Sequence, residues 1–182
     1  WRRHPEWPEL QLVIDDPAIV GPLPSNVRVR SRVWTQQLEQ LRRDHAIVLA
    51  PSEVEGFGHI LLEGMATGGV VLTTDAAPMN ELVSDQRGFL ISWERSEPCH
   101  LGTRYFVDPS DIERAVDRVL QSPLAVLSRK AELAQRWARD NHDRFVRAFA
   151  AELDQLSMAP AADSEATMTA NCADVDWVAG EH

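Results

Sequence analysis

Cysteine is scarce in this chain: Cys99 and Cys172 are the only two among 182 residues. Two thiols make neither a disulfide framework nor a zinc site, and both read as reduced thiols of a cytosolic protein. Long hydrophobic runs are missing as well. No apolar run reaches the roughly 18 residues of a transmembrane segment, and no signal peptide is visible. Positive charge is in short supply, with 18 Lys and Arg against 28 Asp and Glu and a net charge of -10. That balance leaves no uniform basic stripe, so nucleic acid is not an expected partner. Lys and Arg vanish altogether from residues 157–182. Asp163, Glu165, Asp174, Asp176 and Glu181 there carry half of the net charge. The folded part is therefore only mildly acidic. No internal repeat is found.

What is present suffices for one sizeable domain, since 44% of the residues are apolar. Leu10–Ile14 is a short apolar run between Pro8 and Asp15-Asp16-Pro17, and reads as a buried strand. Asn26–Arg30 alternates and reads as a more exposed one. A helix is expected over Thr35–Asp44, with Thr35 as its N-cap. Ala46–Ala50 is apolar throughout and reads as a central strand. A helix from about His59 to Thr67, a strand over Val70–Thr73, a short helix over Pro78–Val83 and a strand over Gly88–Ser92 follow. Strands alternating with helices at this pace imply a parallel sheet in an α/β fold.

Residues 93–109 show no steady period and contain Pro98, Gly102 and Pro109, which suggests an irregular connection. Ser110-Asp111-Ile112-Glu113 matches a capping box and opens an amphipathic helix. Two further helices are expected, from Leu124 to about Ala138 and from Asn141 to about Leu156. Phe145, Phe149, Leu153 and Leu156 form the apolar stripe of the second. The composition from Ser157 onward suggests a disordered acidic tail, giving one domain over 1–156 and a tail over 157–182.

The segment that carries chemistry is Pro51-Ser52-Glu53-Val54-Glu55-Gly56-Phe57-Gly58 and the helix that follows it. It leaves a buried strand, so its side chains emerge at the carboxyl edge of the sheet, where α/β proteins bind nucleotides. Gly56 and Gly58 let the backbone turn sharply and approach a ligand without a Cβ in the way. The N–H groups of Gly58, His59 and Ile60 lie in the first helical turn, without intrahelical partners and at the positive end of the dipole. They suit a diphosphate. Glu63 lies about one turn further on and can accept hydrogen bonds from vicinal hydroxyls, while Glu55 faces the other end of the ligand. Two acids flanking a phosphate site match a nucleotide sugar.

Bland readings stand beside these. Phe57 reads as core packing more than as a stacking platform, and Trp7, Trp34 and Trp137 likewise. Arg2, Arg3, Arg28, Arg42 and Arg43 read as solvated faces. Asp174 and Asp176 form an acidic pair with no strand to hold them, and no metal site is expected.

Pro51-Ser52, Glu55-Gly56-Phe57-Gly58, Glu63-Gly64-Met65-Ala66, Gly68 and Val70-Val71 together resemble the signature of retaining glycosyltransferases of the GT-B fold, particularly family 4. The surrounding element order, over roughly residues 8–156, resembles the carboxyl-terminal, donor-binding half of that fold. The resemblance implies a Rossmann-like parallel sheet flanked by helices, with carboxyl-terminal helices and a tail. It implies that Glu63 holds the nucleotide ribose, that the backbone after Gly58 meets the phosphates, and that Glu55 binds hydroxyls of the donor sugar and acts in catalysis. Gly56, Phe57, Gly58, His59 and Ile60 would complete the donor site, with Glu81 orienting backbone N–H groups beside the sugar. No cofactor is implied beyond a nucleotide-diphosphate sugar as co-substrate, and no metal. The acceptor, whether glycan, lipid or protein, is not legible.

Three positions depart from the family pattern. Gly64 replaces an alanine, His59 an aliphatic residue, and Gly69-Val70 stands where a proline is usual. The chain opens on Trp1-Arg2-Arg3, which reads as mid-sequence. An amino-terminal domain and the Arg and Lys that clamp the diphosphate are expected upstream. A non-catalytic nucleotide-sugar-binding or scaffold domain is the alternative. A nucleotide-sugar epimerase ranks last, because His59 alone offers acid–base chemistry.

Overall fold

Hydrophobicity on both sides of one strand organises the fold. In the computed structural model, which describes residues 1–158, Val70–Thr74 (β4) is buried at every position. It pairs in parallel with Ile47–Ala50 (β3) on one side and Gly88–Ile91 (β5) on the other. Successive side chains of a strand point to opposite faces, and β4 divides accordingly. Val71 joins Leu61, Met65, Met79, Val83, Ala134 and Ala138 in one core cluster. Val70 and Leu72 join Trp7, Phe89, Ile91, Ala115, Val116 and Val119 in the other. Helices thus cover both faces, as parallel sheets require. The α/β class with a parallel, helix-flanked sheet is the one expected.

A second parallel pair precedes this sheet. Leu10–Val13 (β1) runs alongside Val27–Arg30 (β2), with Leu10 opposite Val27. The half-exposed pattern of β2 matches its alternating sequence. Thr35–Asp44 (α1) then leads into β3. The cap of α1 is Trp34 rather than Thr35, and the Gln37 side chain accepts the Trp34 N–H at 3.0 Å. Trp34 is itself exposed, not a packing residue, whereas Trp7 is buried. The strand expected to be central, β3, is an edge of the three-stranded ladder; β4 holds the centre. With one strand neighbour only, β3 is also less buried than its apolar run suggests: Ile47 is exposed and Ala50 alone is fully buried.

His59–Ala66 (α2) connects β3 to β4, and its end follows from two glycines. Gly68 takes φ +83°, Gly68 N–H bonds to the Met65 carbonyl, and Gly69 N–H bonds to that of Gly64. This paired closure is a Schellman motif. It sends the chain straight into β4. Met79–Leu82 (α3) follows β4, close to the expected span.

Residues 93–109 are not irregular. Arg95–Cys99 (β6) and Gly102–Phe106 (β7) form an antiparallel hairpin. Both strands are edges of a two-stranded ladder, so Pro98 is tolerated there. The mostly exposed hairpin also lacks the apolar alternation that marks a strand. Pro109–Leu120 (α4) is capped by Asp108, not by Ser110; the Asp108 side chain accepts the Ser110 N–H and Pro109 occupies the first turn.

The two expected carboxyl-terminal helices are one, Leu124–Met158 (α5). Asp140 and Asn141 cost helix propensity only modestly, and this stretch has neither Gly nor Pro to break it. Contacts divide the chain into a unit of residues 1–141 and a second beginning at His142. Within the described part of the second unit, Phe145, Phe149 and Leu153 are about half exposed, and the rings of Phe145 and Phe149 stack at 5.8 Å. The tail expectation lies outside the described residues. No helix among them is long and apolar enough to cross a membrane.

Candidate functional site at the carboxyl edge of the sheet

Three connections leave the carboxyl ends of β3, β4 and β5, and hydrogen bonds tie them together. The buried Thr74 hydroxyl donates to the Ser52 carbonyl at 2.7 Å, joining the β4 end to the β3–α2 loop. Ser52 Oγ in turn donates to Glu55 Oε1 at 2.7 Å. Glu55 is therefore oriented by a chain that starts inside the sheet. Its second oxygen carries no recorded bond among the described residues. Sequence reasoning assigned roles to neither Ser52 nor Thr74. Ser52 sits in the quoted motif, but the hydroxyl of Thr74 acquires its meaning only from the β3–β4 pairing.

Gly58 caps α2 in the left-handed region, at φ +72°. A Cβ there would lie 2.3 Å from Leu82 Cδ1 and 3.6 Å from Leu61 Cδ1, so α2 and α3 approach each other closely at this point. The Gly58 carbonyl accepts from both Leu61 and Leu62. Among the described residues, the N–H groups of His59 and Ile60 donate to no backbone carbonyl. Unpaired donors at a helix start favour an anion.

Gly56 is exposed, and Phe57 is 57% exposed, which corrects its reading as a core residue. The loop turns the ring outward, where it leans on the His59 imidazole at 4.8 Å between centroids. Ile60 is also partly exposed, at 40%. Val54, Phe57, His59 and Ile60 therefore make the rim of the loop mixed apolar and aromatic.

Glu63 lies on α2 and is half exposed, but it is not simply solvated. Arg42 Nη2 of α1 lies 2.6 Å from its Oε2. The Arg42 side chain is only 13% exposed, so this residue is not the solvated face that its sequence suggests. The pair joins two helices that precede and follow β3. Glu81 sits in α3, exposed, with its carbonyl accepting from Arg87. No recorded contact brings its carboxylate to Glu55.

The β4–α3 loop is shaped by its own bonds. Asn80 Nδ2 donates to Asp75 Oδ1, Asp75 N–H to the Ile91 carbonyl, and Trp93 Nε1 to the Asp75 carbonyl at 3.0 Å. A separate cleft of about 560 Å³ lies along β2 and α1, lined by Arg30, Ser31, Gln37, Gln40 and Asp44 among others. None of the sequence-predicted site residues lines it.

A family model described as "Glycosyl transferases group 1" matches residues 22–144, more than half of the chain. This chain belongs to the glycosyl transferases group 1. The matched span of this group 1 glycosyltransferase domain runs from just before β2 into α5, and so contains the whole Ser52–Glu63 segment, Thr74, Glu81 and Trp93. Comparison with curated proteins gave no match.

Proposed function

We propose that this group 1 glycosyltransferase domain binds a nucleotide-diphosphate sugar at the carboxyl edge of β3 and β4, and takes part in transfer of that sugar to an acceptor hydroxyl with retention of configuration. One observation carries the reading: the open N–H groups at the start of α2 lie between an acid held by Ser52 and an acid held by Arg42. The diphosphate sits against His59 and Ile60 N–H, where the helix terminus meets its charge. Glu63 uses the oxygen not engaged by Arg42 to accept from the ribose hydroxyls. Glu55 accepts from hydroxyls of the sugar and stabilises charge developing at its reacting carbon.

In this reading the leaving diphosphate keeps its bonds to the helix start while the acceptor hydroxyl attacks from the same face. The reaction uses no metal in this reading, and the helix terminus meets the charge of the leaving diphosphate. The free thiol of Cys99 suits a cytoplasmic setting. The resemblance to family 4 and the donor-half assignment belong to the same proposal.

Calorimetric titration with UDP, GDP, UDP-glucose and GDP-mannose, alongside Glu63→Ala, tests it. Binding of one nucleotide series, weakened in the variant, supports the donor site and names the base. Equal binding by both proteins removes Glu63 from the ribose. Tight binding of a donor with no transfer by the full-length protein supports the scaffold alternative instead.

A further inference from the structure

The β6–β7 hairpin interrupts the alternation of strand and helix, and it is bonded to both loops that form the candidate site. At its base, Trp93 Nε1 donates to the Asp75 carbonyl in the β4–α3 loop at 3.0 Å. On β7, Tyr105 N–H donates to the Glu53 carbonyl at 2.8 Å, two residues before Glu55. The Trp93 and Tyr105 rings meet edge to face at 5.1 Å, so the two ties brace each other. Arg104, the residue before Tyr105 on β7, brings its Nε to 3.6 Å from the Glu53 carboxylate. The Glu94 N–H to Phe106 carbonyl bond closes the hairpin just beyond Trp93. Trp93 is 41% exposed, so what the fold gains from it is the bond to Asp75 and the ring contact with Tyr105.

We propose that this hairpin is the positioning element for the sugar end of the donor site, with Trp93 as its positioning residue; the inference rests on the donor-site reading above. Asp75 follows β4 directly and Glu53 lies three residues beyond β3, and Thr74 already ties these two strand ends through Ser52. The hairpin adds a second, outer tie on the side of the loop that leads to Glu55. A loop held at one edge by the sheet and at the other by β7 presents Glu55 in one place. Released from β7, it samples several. Misplacing a group by about 1 Å is enough to cost a large part of its effect. The phosphate end, built from α2 itself, has no bond to the hairpin and is unaffected.

The test uses the full chain carrying Trp93→Ala, and Trp93→Phe, which keeps a ring against Tyr105 but removes the indole N–H. Each is titrated with UDP and UDP-glucose, and with GDP and GDP-mannose. Hydrogen exchange is followed over residues 51–58 and 101–106. The expected result is unchanged affinity for the nucleoside diphosphate and about tenfold weaker nucleotide-sugar binding in Trp93→Ala, the effect of one lost positional hydrogen bond. Trp93→Phe should fall between that variant and wild type, and exchange over 51–58 should quicken in the same order. Parallel loss of both ligands, or loss of neither, overturns the assignment. A wild-type chain that binds none of the four overturns the donor-site reading. In that case exchange still decides whether the hairpin holds the loop, with unchanged rates in Trp93→Ala overturning it.

Discussion

Ser52 Oγ lies 2.7 Å from Glu55 Oε1, and the carbonyl of the same serine accepts the buried Thr74 hydroxyl at the same distance. One residue thus links the sheet interior to the candidate catalytic carboxylate. A hydrogen bond to a charged group contributes about 1.5–3 kcal/mol. Ser52→Ala should therefore lower transfer by about tenfold or more, while nucleoside-diphosphate affinity stays close to wild type. Steady-state kinetics of the full-length protein beside a binding titration measures the split. Equal losses in binding and turnover would remove Ser52 from the orientation of Glu55.

Arg42 and Glu63 make the second relationship. Glu63 is half exposed, but the Arg42 side chain is only 13% exposed, so removing the carboxylate leaves a largely covered guanidinium without its partner. Glu63→Ala should therefore lower the thermal midpoint as well as weaken nucleotide binding about 10- to 100-fold, the loss expected for hydrogen bonds to a carboxylate. Arg42→Ala should weaken the same binding more modestly, because it frees the Glu63 rotamer without removing the acceptor. A double-mutant cycle on nucleotide affinity decides the point, and additive losses would show that Arg42 does not act through Glu63.

Gly64 tests packing against propensity. Alanine is favoured over glycine in a helix by about 1 kcal/mol, and the family pattern carries alanine here. A Cβ on Gly64 would lie 3.1 Å from Val71 Cγ2 and 3.3 Å from Val48 Cγ2. Overpacking a tight contact costs about 1–3 kcal/mol, so Gly64→Ala should destabilise slightly or break even, despite the gain in propensity. Measured against Val48→Ala alone, Gly64→Ala should cost less than it does in wild type, because only the Val71 contact then remains. Denaturant midpoints of the single and double variants give the answer. A Gly64→Ala chain clearly more stable than wild type would refute the packing account.

Asp108 supplies a pH dependence. Its side-chain hydrogen bond with Ser110, helped by the Ser110 backbone N–H, holds the Asp108 carboxyl below the usual carboxylate range. Lowering the folded value below the unfolded one means that the cap contributes above the ordinary aspartate range, about pH 4. The contribution is lost as pH falls through the folded value. Asp108→Asn keeps a capping acceptor that does not titrate in this range. The thermal midpoint of wild type should fall more steeply than that of Asp108→Asn as the solution is taken from pH 5 to pH 3. Parallel curves would show that the cap is not coupled to the proton.

The central elements were legible because each carries its own local signal. β4 opens on the apolar run Val70-Val71-Leu72, α2 is bounded by Gly58 and by Gly68-Gly69, and α3 follows Pro78. The hairpin was not legible: exposed strands with Pro98 in one of them show no burial period to read. The caps were misjudged by one or two positions at Thr35 and Ser110, since Trp34 caps through a partner's side chain and Asp108 precedes a proline. At the site, the outward turn of Phe57 and the covered position of Arg42 depend on which elements become neighbours.

By itself, the sequence determined the alternation of strand and helix from β3 to β5, the glycine-bounded helix start and the residue types beside it, because backbone freedom and hydrophobic pattern are local properties. Tertiary structure alone decided that β4 rather than β3 is central, that Arg42 meets Glu63, and that Thr74 holds Ser52 while the hairpin reaches Glu53. Those pairings join residues from 21 to 52 positions apart in the chain, and only the folding of the sheet brings such groups within hydrogen-bond range.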